Sequence, residues 1–247
     1  MKQEWRYFRL AISYFTRIPA PVAPDFQAAD LNHAAKYLPL AGILVGGAAA
    51  VCYMAAKLIF PTDIAVVLSM LTGIFLTGCL HEDGLADTMD GLGGGWSKEQ
   101  ILAIMQDSRL GSYGATALSM ILLMKFLTLS HMPEQLAPAA LITAHGLSRF
   151  AALLVMKTQT YVREQGKAKP LTAPLSNQDL LIAGWFGLAP LALIPWRLLP
   201  ALLPAAAVWL LFSLQLKNRL GGYTGDTLGA MQQLTEISFY LGLLAWS

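Results

Sequence analysis

The sequence predicts an all-α membrane protein, a polytopic helical bundle with about six or seven transmembrane helices. Three observations support this: 55% of the 247 residues are hydrophobic, only 13% are charged, and the mean hydropathy is +0.52. Soluble domains carry roughly 25% charged residues, so a soluble fold is excluded. Since no repeat or low-complexity stretch divides the chain, residues 1–247 are predicted to form one domain.

Apolar runs define the predicted spans, because a bilayer core about 30 Å thick needs roughly 20 apolar residues per helix. Seven runs approach that length, the last with polar first turns: 37–60, 64–80, 113–132, 136–156, 180–196, 201–216 and 228–247. Pro190 and Pro195 should kink or shorten the fifth span, and Pro204 lies in the first turns of the sixth.

The basic residues predict the orientation, because short loops rich in Lys and Arg stay in the cytoplasm. With the N-terminus inside, most of the 17 basic residues lie on the inner side. Segments 81–112, 157–179 and 217–227 then face the cytoplasm together. The charged N-terminal segment is not a cleavable signal. Its apolar residues recur at helical spacing, which predicts an amphipathic helix at the membrane interface or, equally, a helix packed on the rest of the protein.

Two function classes are disfavoured by composition. A net charge of +2 leaves no excess of positive charge for a nucleic-acid backbone, so no nucleic-acid partner is expected. Cys52 and Cys79 lie in apolar runs, which is typical of core residues and not of a disulfide or a zinc site.

An acidic motif follows the second predicted span and reads His81-Glu82-Asp83-Gly84-Leu85-Ala86-Asp87-Thr88-Met89-Asp90-Gly91. In a helix, Asp83, Asp87 and Asp90 would share one face within about 60° of arc. Their mutual repulsion calls for a cation, and all-oxygen ligands favour Mg²⁺ or Mn²⁺. The alternative is a solvated acidic loop. His81 is a candidate ligand or acid/base group, or an interfacial hydrogen-bonding residue.

A second polar cluster, 220–230, precedes the last predicted span and contains Thr224, Gly225 and Asp226. Its glycines allow close backbone approach, and amides at a helix N-terminus favour an anion such as phosphate. Asp226 could complete the ligand set of the cation. The alternative is a glycine-rich turn in which Asp226 or Thr224 caps the helix.

Three further residues are candidates for binding substrate. Arg109, with Ser108 beside it, precedes the third span and offers a planar fork suited to phosphate, although it could simply mark the membrane boundary. Arg149 lies on the order of 10 Å inside the fourth span, with His145 one turn away. Ionisable groups at such depth usually serve function.

These motifs together resemble the cobalamin synthase family, whose members are adenosylcobinamide-GDP ribazoletransferases. The resemblance is carried by segments 15–19, 77–91, 104–114 and 221–230. The sequence departs from the family pattern at two positions: Cys79 stands where a small residue, usually Gly, is expected, and Gln106 where a basic residue is common. Neither departure removes a candidate metal ligand.

The resemblance implies a Mg²⁺-dependent transfer in the bacterial inner membrane, with the active site facing the cytoplasm. The ribose hydroxyl of α-ribazole, or of its 5′-phosphate, attacks the corrinoid-linked phosphorus of adenosylcobinamide-GDP, and GMP leaves. The expected metal ligands are Glu82, Asp83, Asp87, Asp90 and Asp226. The expected proton acceptor is Asp90, Asp226 or His81. The expected substrate-binding residues are Arg109, Arg149, Ser108, Thr224 and Gly225. The sequence leaves open whether the chain forms a homo-oligomer or associates with other nucleotide-loop assembly enzymes.

Two rival functions remain open at the level of sequence. A membrane phosphotransferase of the CDP-alcohol type also places spaced aspartates at the mouth of a helical bundle, but its Asp-Gly-x-x-Ala-Arg run is missing here, since Asp87 follows Ala86. An ion-coupled transporter would use the carboxylates as an ion site, usually near the bilayer midplane.

Overall fold

The computed structural model describes residues 2–21, 27–163 and 175–247, and the regular structure in these ranges is helical apart from one parallel bridge between Tyr161 and Tyr223. The predicted all-α class is therefore confirmed. The α-helices are α1 Lys2–Phe15, α2 Ala28–Ala34, α3 Leu38–Lys57, α4 Thr62–Thr77, α5 Leu80–Gly94, α6 Lys98–Ile104, α7 Ser112–His131, α8 Ala137–Thr158, α9 Asn177–Leu188, α10 Leu202–Leu220 and α11 Gly225–Trp246.

Within the described residues, four helical stretches are long and apolar enough to cross a membrane: Asp30–Lys57, Ser112–His131, Ala137–Thr158 and Trp196–Leu220. The bent pair of α4 and α5 would make a fifth. The predicted span at 180–196 is not one helix, because α9 ends at Leu188 and 3₁₀ turns follow at Ala189–Leu193 and Trp196–Ala201. Prolines in this stretch remove the hydrogen bonds that a continuous helix needs. The predicted membrane bundle is therefore confirmed, and four or five stretches within the described ranges have the length and apolar composition of a span.

Helix α11 packs mainly against α5, α8 and α10. Its middle carries Gln232, Gln233 and Glu236, each at most 2% exposed. The 22 residues of α11 give it a length of about 33 Å, which is enough to cross a membrane. Its three polar residues lower its hydropathy, so it is not among the apolar spans. The surrounding helices shield the polar groups from lipid, as is usual for polar groups at membrane depth.

Helices α3 and α8 approach closely through Gly42 and Gly46, a pair of small residues spaced four apart. A Cβ at Gly42 would collide with the carbonyl oxygen of His145, and one at Gly46 would lie 2.6 Å from that of Leu141. Neither gap accommodates a side chain. These glycines therefore fix how closely α8, which carries His145 and Arg149, sits against α3.

The chain turns by 86° between α4 and α5. Gly78 and Cys79 form this turn in the left-handed backbone region, with φ of +63° and +59°. A residue with a Cβ adopts this conformation at a cost of about 1 kcal/mol, which explains why the family resemblance predicts glycine at position 79. Because α5 runs across the direction of α4 and carries four carboxylates, we place it outside the membrane-spanning segments.

Both cysteines are free thiols, but they are not both core residues. Cys52 is half-buried, whereas Cys79 is exposed at the turn. The prediction that Cys79 is a core residue is therefore wrong, because the turn carries its side chain to the surface.

Helix α1 confirms the predicted N-terminal helix. It packs on α2 and α3 and buries Tyr7, Leu10, Ala11 and Phe15, while Trp5 remains 59% exposed. The helix is therefore docked on the bundle through one face. A position of its exposed face in the membrane interface stays a prediction.

Candidate active site

Two motifs that are distant in sequence meet where α5 packs along the start of α11. A Cβ at Gly84 would lie 2.8 Å from the carbonyl oxygen of Asp226, and one at Gly229 would lie 3.3 Å from that of His81. Glycine is needed at position 84, because a larger residue would push the two helices apart. The backbones thus bring the acidic motif and the Thr-Gly-Asp motif into contact.

Thr224 caps the start of α11. Its hydroxyl accepts a hydrogen bond from the Thr227 amide at 3.2 Å, and the Thr227 hydroxyl accepts one from the Thr224 amide at 2.8 Å. Thr224 is fully buried, so its side chain serves the helix end, as the alternative reading of this motif predicted. Gly225 is half-buried and lines the pocket described below.

Asp83, Asp87 and Asp226, together called the acidic rim, lie at this contact. Burial, followed by the negative charges of Asp83 and Asp226, raises the pKa of Asp87 to about 6. Arg163 offsets part of this negative charge, since its Nη2 lies 2.7 Å from Oδ2 of Asp226. The same guanidinium donates to the carbonyl oxygen of Met105 at 3.2 Å, which holds it in place between the two segments.

Asp90 is engaged elsewhere. One of its carboxylate oxygens accepts from the Gly111 amide at 2.7 Å and the other from the Gly114 amide at 2.8 Å. Asp90 is only 8% exposed, and it stabilises the first turn of α7 in the manner of an N-terminal acidic residue. Each oxygen accepts one hydrogen bond, so a role of Asp90 as a metal ligand or proton acceptor stays a prediction, and the proposal below relies on the acidic rim.

Glu82 points into the bundle, where it joins three other side chains in what we call the buried network (Glu82, Lys125, Gln233, Glu236). Glu82 Oε1 accepts from Gln233 Nε2 at 2.9 Å, and Gln233 Oε1 accepts from Lys125 Nζ at 3.0 Å. Lys125 Nζ also lies 2.8 Å from Oε1 of Glu236. The network connects α5, α7 and α11, so we assign Glu82 to it and not to the acidic rim.

The acidic rim fits a hard divalent cation by its donor type. Within the described residues, no three or more side chains of His, Cys, Asp or Glu are grouped so that they could hold a metal ion together. Mg²⁺ does not need such a group, because it is usually bound by one or two carboxylates and keeps its other positions for water and substrate phosphates. The carboxylate oxygens of the acidic rim are the donors that such a site requires.

Arg149 lies inside the bundle, as predicted, and is 2% exposed. Its Nη1 donates to the carbonyl oxygen of His145 at 2.9 Å and lies 3.0 Å from Nδ1 of the same residue.

Burial, followed by the positive charge of Arg149, lowers the pKa of His81. His81 is therefore a neutral imidazole at pH 7.

A pocket of about 130 Å³, called here the rim pocket, opens beside the acidic rim. Its polar lining is formed by His81, Asp83, Arg149, Asp226 and Gln232. Its apolar lining includes Tyr14, Phe15, Leu38, Ala152 and Met156. The pocket therefore lies among α1, α3, α5, α8 and α11, and its lining contains both charged and apolar side chains.

Arg109 and Ser108 do not line the rim pocket. The Arg109 side chain is 87% exposed and pairs with Asp107, with Nη2 lying 2.6 Å from Oδ2. Hydrogen bonds from Arg109 lower the pKa of Asp107 to about 2. Ser108 is exposed beside them. Substrate binding by these two residues stays a prediction without support from the geometry of the pocket.

Sequence reasoning missed Lys125, Glu236 and Arg163 as residues of this region. A signal existed for the first two, because each is an ionisable residue within a predicted span, and such residues usually pair inside the bundle. Arg163 gave no comparable signal. Its position depends on the pairing of Tyr161 with Tyr223, which no local pattern indicates.

Comparisons with known proteins agree with the motifs. A family model described as cobalamin-5-phosphate synthase matches residues 7–244. Three relatives, each named adenosylcobinamide-GDP ribazoletransferase, match over nearly their full lengths. The relative from Vibrio cholerae is 41% identical over 251 residues, which cover 100% of this chain and 96% of the relative. The relative from Ralstonia pickettii is 43% identical over 254 residues (100% and 98%), and that from Shewanella oneidensis is 45% identical over 243 residues (96% and 93%).

No solved structure gives a significant match to the chain, so the contact between α5 and α11 rests on the present fold. The sequence matches extend across both of the motifs that this contact brings together. The chain belongs to the cobalamin-5-phosphate synthase family.

Proposed function

We propose that the protein joins adenosylcobinamide-GDP to α-ribazole or α-ribazole 5′-phosphate and releases GMP. The names and full-length similarity of the relatives support this reaction. The observation that carries the assignment to this site is the contact between Gly84 and Asp226, because it joins the acidic residues of α5 to the start of α11 beside the rim pocket. Neither rival function, the CDP-alcohol phosphotransferase or the ion-coupled transporter, is favoured by a comparable observation.

Asp83 and Asp87 from α5 and Asp226 from α11 are the proposed carboxylates of a Mg²⁺ site, in which one or two would bind the ion directly and the rest through its retained waters. A bound Mg²⁺ would neutralise charge on the phosphate oxygens of adenosylcobinamide-GDP, which is the main requirement of phosphoryl-type transfer. The ion would also relieve the repulsion among the three carboxylates. Arg163, which is paired with Asp226, holds that carboxylate at the acidic rim.

The side chains of the rim pocket supply the remaining steps of the proposal. The ribose hydroxyl oxygen forms a bond to the corrinoid-linked phosphorus, the bond from this phosphorus to the GMP oxygen breaks, and GMP carries away the electron pair. Arg149 binds non-bridging phosphate oxygens. Asp226, whose carboxylate lines the pocket, is the proposed acceptor of the hydroxyl proton.

We further propose that the protein resides in the bacterial inner membrane with the acidic rim facing the cytoplasm. The distribution of Lys and Arg supports this orientation. Protease protection of a tag at either terminus, measured in inverted and right-side-out vesicles, tests it. An acidic rim on the outer side would contradict the proposal.

The reaction is tested by incubating membranes that contain the protein with adenosylcobinamide-GDP and α-ribazole, and by following GMP and the corrinoid product. We expect both products in equal amounts, their loss when EDTA removes divalent cations, and their recovery when Mg²⁺ is restored. Membranes lacking the protein are the control. Absence of a corrinoid product would refute the reaction, and undiminished turnover in EDTA would refute the metal site.

A further inference from the structure

The rim pocket is lined by two chemically different sets of residues. Asp83, Asp226 and Arg149 form the charged set, at the acidic rim where the reaction is proposed to occur. Leu38 and Met156 belong to the apolar set, together with the side chains of Tyr14 and Phe15, whose rings meet edge to face at a centroid distance of 5.0 Å. A ligand that matches this lining combines polar groups with a flat apolar part.

The two substrates of the proposed reaction differ in how well they match this lining. The base of α-ribazole is a dimethylbenzimidazole, a flat bicycle with two methyl groups and no N–H donor once it is joined to ribose. Guanine has polar edges that need hydrogen-bond partners when buried, and the apolar lining residues offer hydrocarbon instead. The corrin macrocycle is much larger than either base and matches a pocket of about 130 Å³ least well.

The carboxylates of the pocket suit the ribose of the same substrate. Ribose hydroxyls are hydrogen-bond donors, and the carboxylate oxygens of Asp83 and Asp226 are acceptors.

Given the proposed function, on which this inference rests, we propose that the rim pocket binds the acceptor nucleoside. The dimethylbenzimidazole lies against Tyr14, Phe15, Leu38 and Met156, and the ribose faces Asp83 and Asp226. The pocket thereby contributes to the choice of the lower base, since its apolar lining residues favour a methylated benzimidazole over a purine.

The test uses Ala152→Leu in the full-length protein in membranes. Ala152 lines the pocket and is 2% exposed, so the larger side chain takes up space that the base would occupy. We expect the KM for α-ribazole to rise roughly tenfold or more, the scale on which hydrophobic pockets discriminate single carbon groups. The KM for adenosylcobinamide-GDP should change less than about twofold. The matched control is Ala207→Leu, the same substitution at an exposed position of α10, which should leave both constants unchanged.

A second acceptor separates this effect from misfolding. The ribonucleoside of unmethylated benzimidazole is smaller, so Ala152→Leu should impair its use less than that of α-ribazole; a misfolded protein would lose both equally. Equal losses, or a rise in KM confined to adenosylcobinamide-GDP, would overturn the proposal for the pocket. Failure of the unaltered protein to turn over either acceptor would instead refute the proposed function, so the two failures are distinguishable.

Discussion

Replacing Asp83 or Asp87 by asparagine abolishes GMP release while the protein still inserts into the membrane at its normal level. Asparagine preserves the size of each side chain but removes the negative charge that the proposed Mg²⁺ requires. Metal ions contribute several kcal/mol of charge stabilisation in the transition state, so the expected loss of turnover is about 10³-fold or more. Initial rates in membranes matched for protein content provide the measurement.

Asp63→Asn is the matched control for this experiment. Asp63 lies in the first turn of α4, at the end far from α5, and is exposed. The same chemical change there should therefore leave turnover intact. If both rim variants kept near-normal activity, the acidic rim would have no role in metal binding and the mechanism would have to be abandoned.

Breaking the ion pair between Lys125 and Glu236 should destabilise the protein more than breaking any surface pair. Their charged atoms lie 2.8 Å apart, with side chains only 9% and 1% exposed. Lys125→Met removes the ion-pair partner of the Glu236 carboxylate, to which Gln232 also donates, and removal of one partner of a buried pair typically costs about 3–5 kcal/mol. Gln233 accepts a hydrogen bond from Lys125 and donates one to Glu82 of α5. Replacing Lys125 therefore also weakens the hydrogen-bonded connection between α11 and α5. Thermal unfolding in detergent measures the effect.

The exposed pair of Lys57 and Glu134 is the matched control for stability. Its charged atoms are as close, at 2.7 Å, but the side chains are 25% and 57% exposed. Lys57→Met should therefore change the free energy of unfolding by about 1 kcal/mol or less. A double variant that also replaces Glu236 by leucine should recover part of the stability lost in Lys125→Met. Equal stability of Lys125→Met and Lys57→Met would show that the buried network does not support the fold.

The sequence predicts the helical class well, and it reveals both the acidic motif and the Thr-Gly-Asp motif, because each of these features is a local pattern. Hydropathy identifies α3, α7 and α8 as apolar helices, and the spacing of Asp83 and Asp87 correctly implies a shared helix face. Hydropathy is less informative for α11. Its Gln232, Gln233 and Glu236 lower the apolar signal, and only the packing of neighbouring helices shows why a polar helix can occupy the bundle.

The directions of individual carboxylates could not be predicted from spacing. Asp90 lies on the same predicted face as Asp83 and Asp87, yet it accepts hydrogen bonds from Gly111 and Gly114, because the start of α7 happens to lie there. Glu82 is likewise drawn inward by Gln233. In both cases the outcome depends on which helix lies opposite, and this information is not present in a local pattern.

The central claim is that carboxylates from α5 and α11 hold one divalent cation together. The most direct test is Mn²⁺ binding to the detergent-solubilised protein in the presence of GDP, followed by electron paramagnetic resonance. We predict that Asp83→Asn and Asp226→Asn each weaken Mn²⁺ binding by about tenfold or more, and that the double variant loses less than the product of the two effects, as expected for residues in one site. Independent, multiplicative effects, or normal Mn²⁺ binding in either single variant, would contradict the claim.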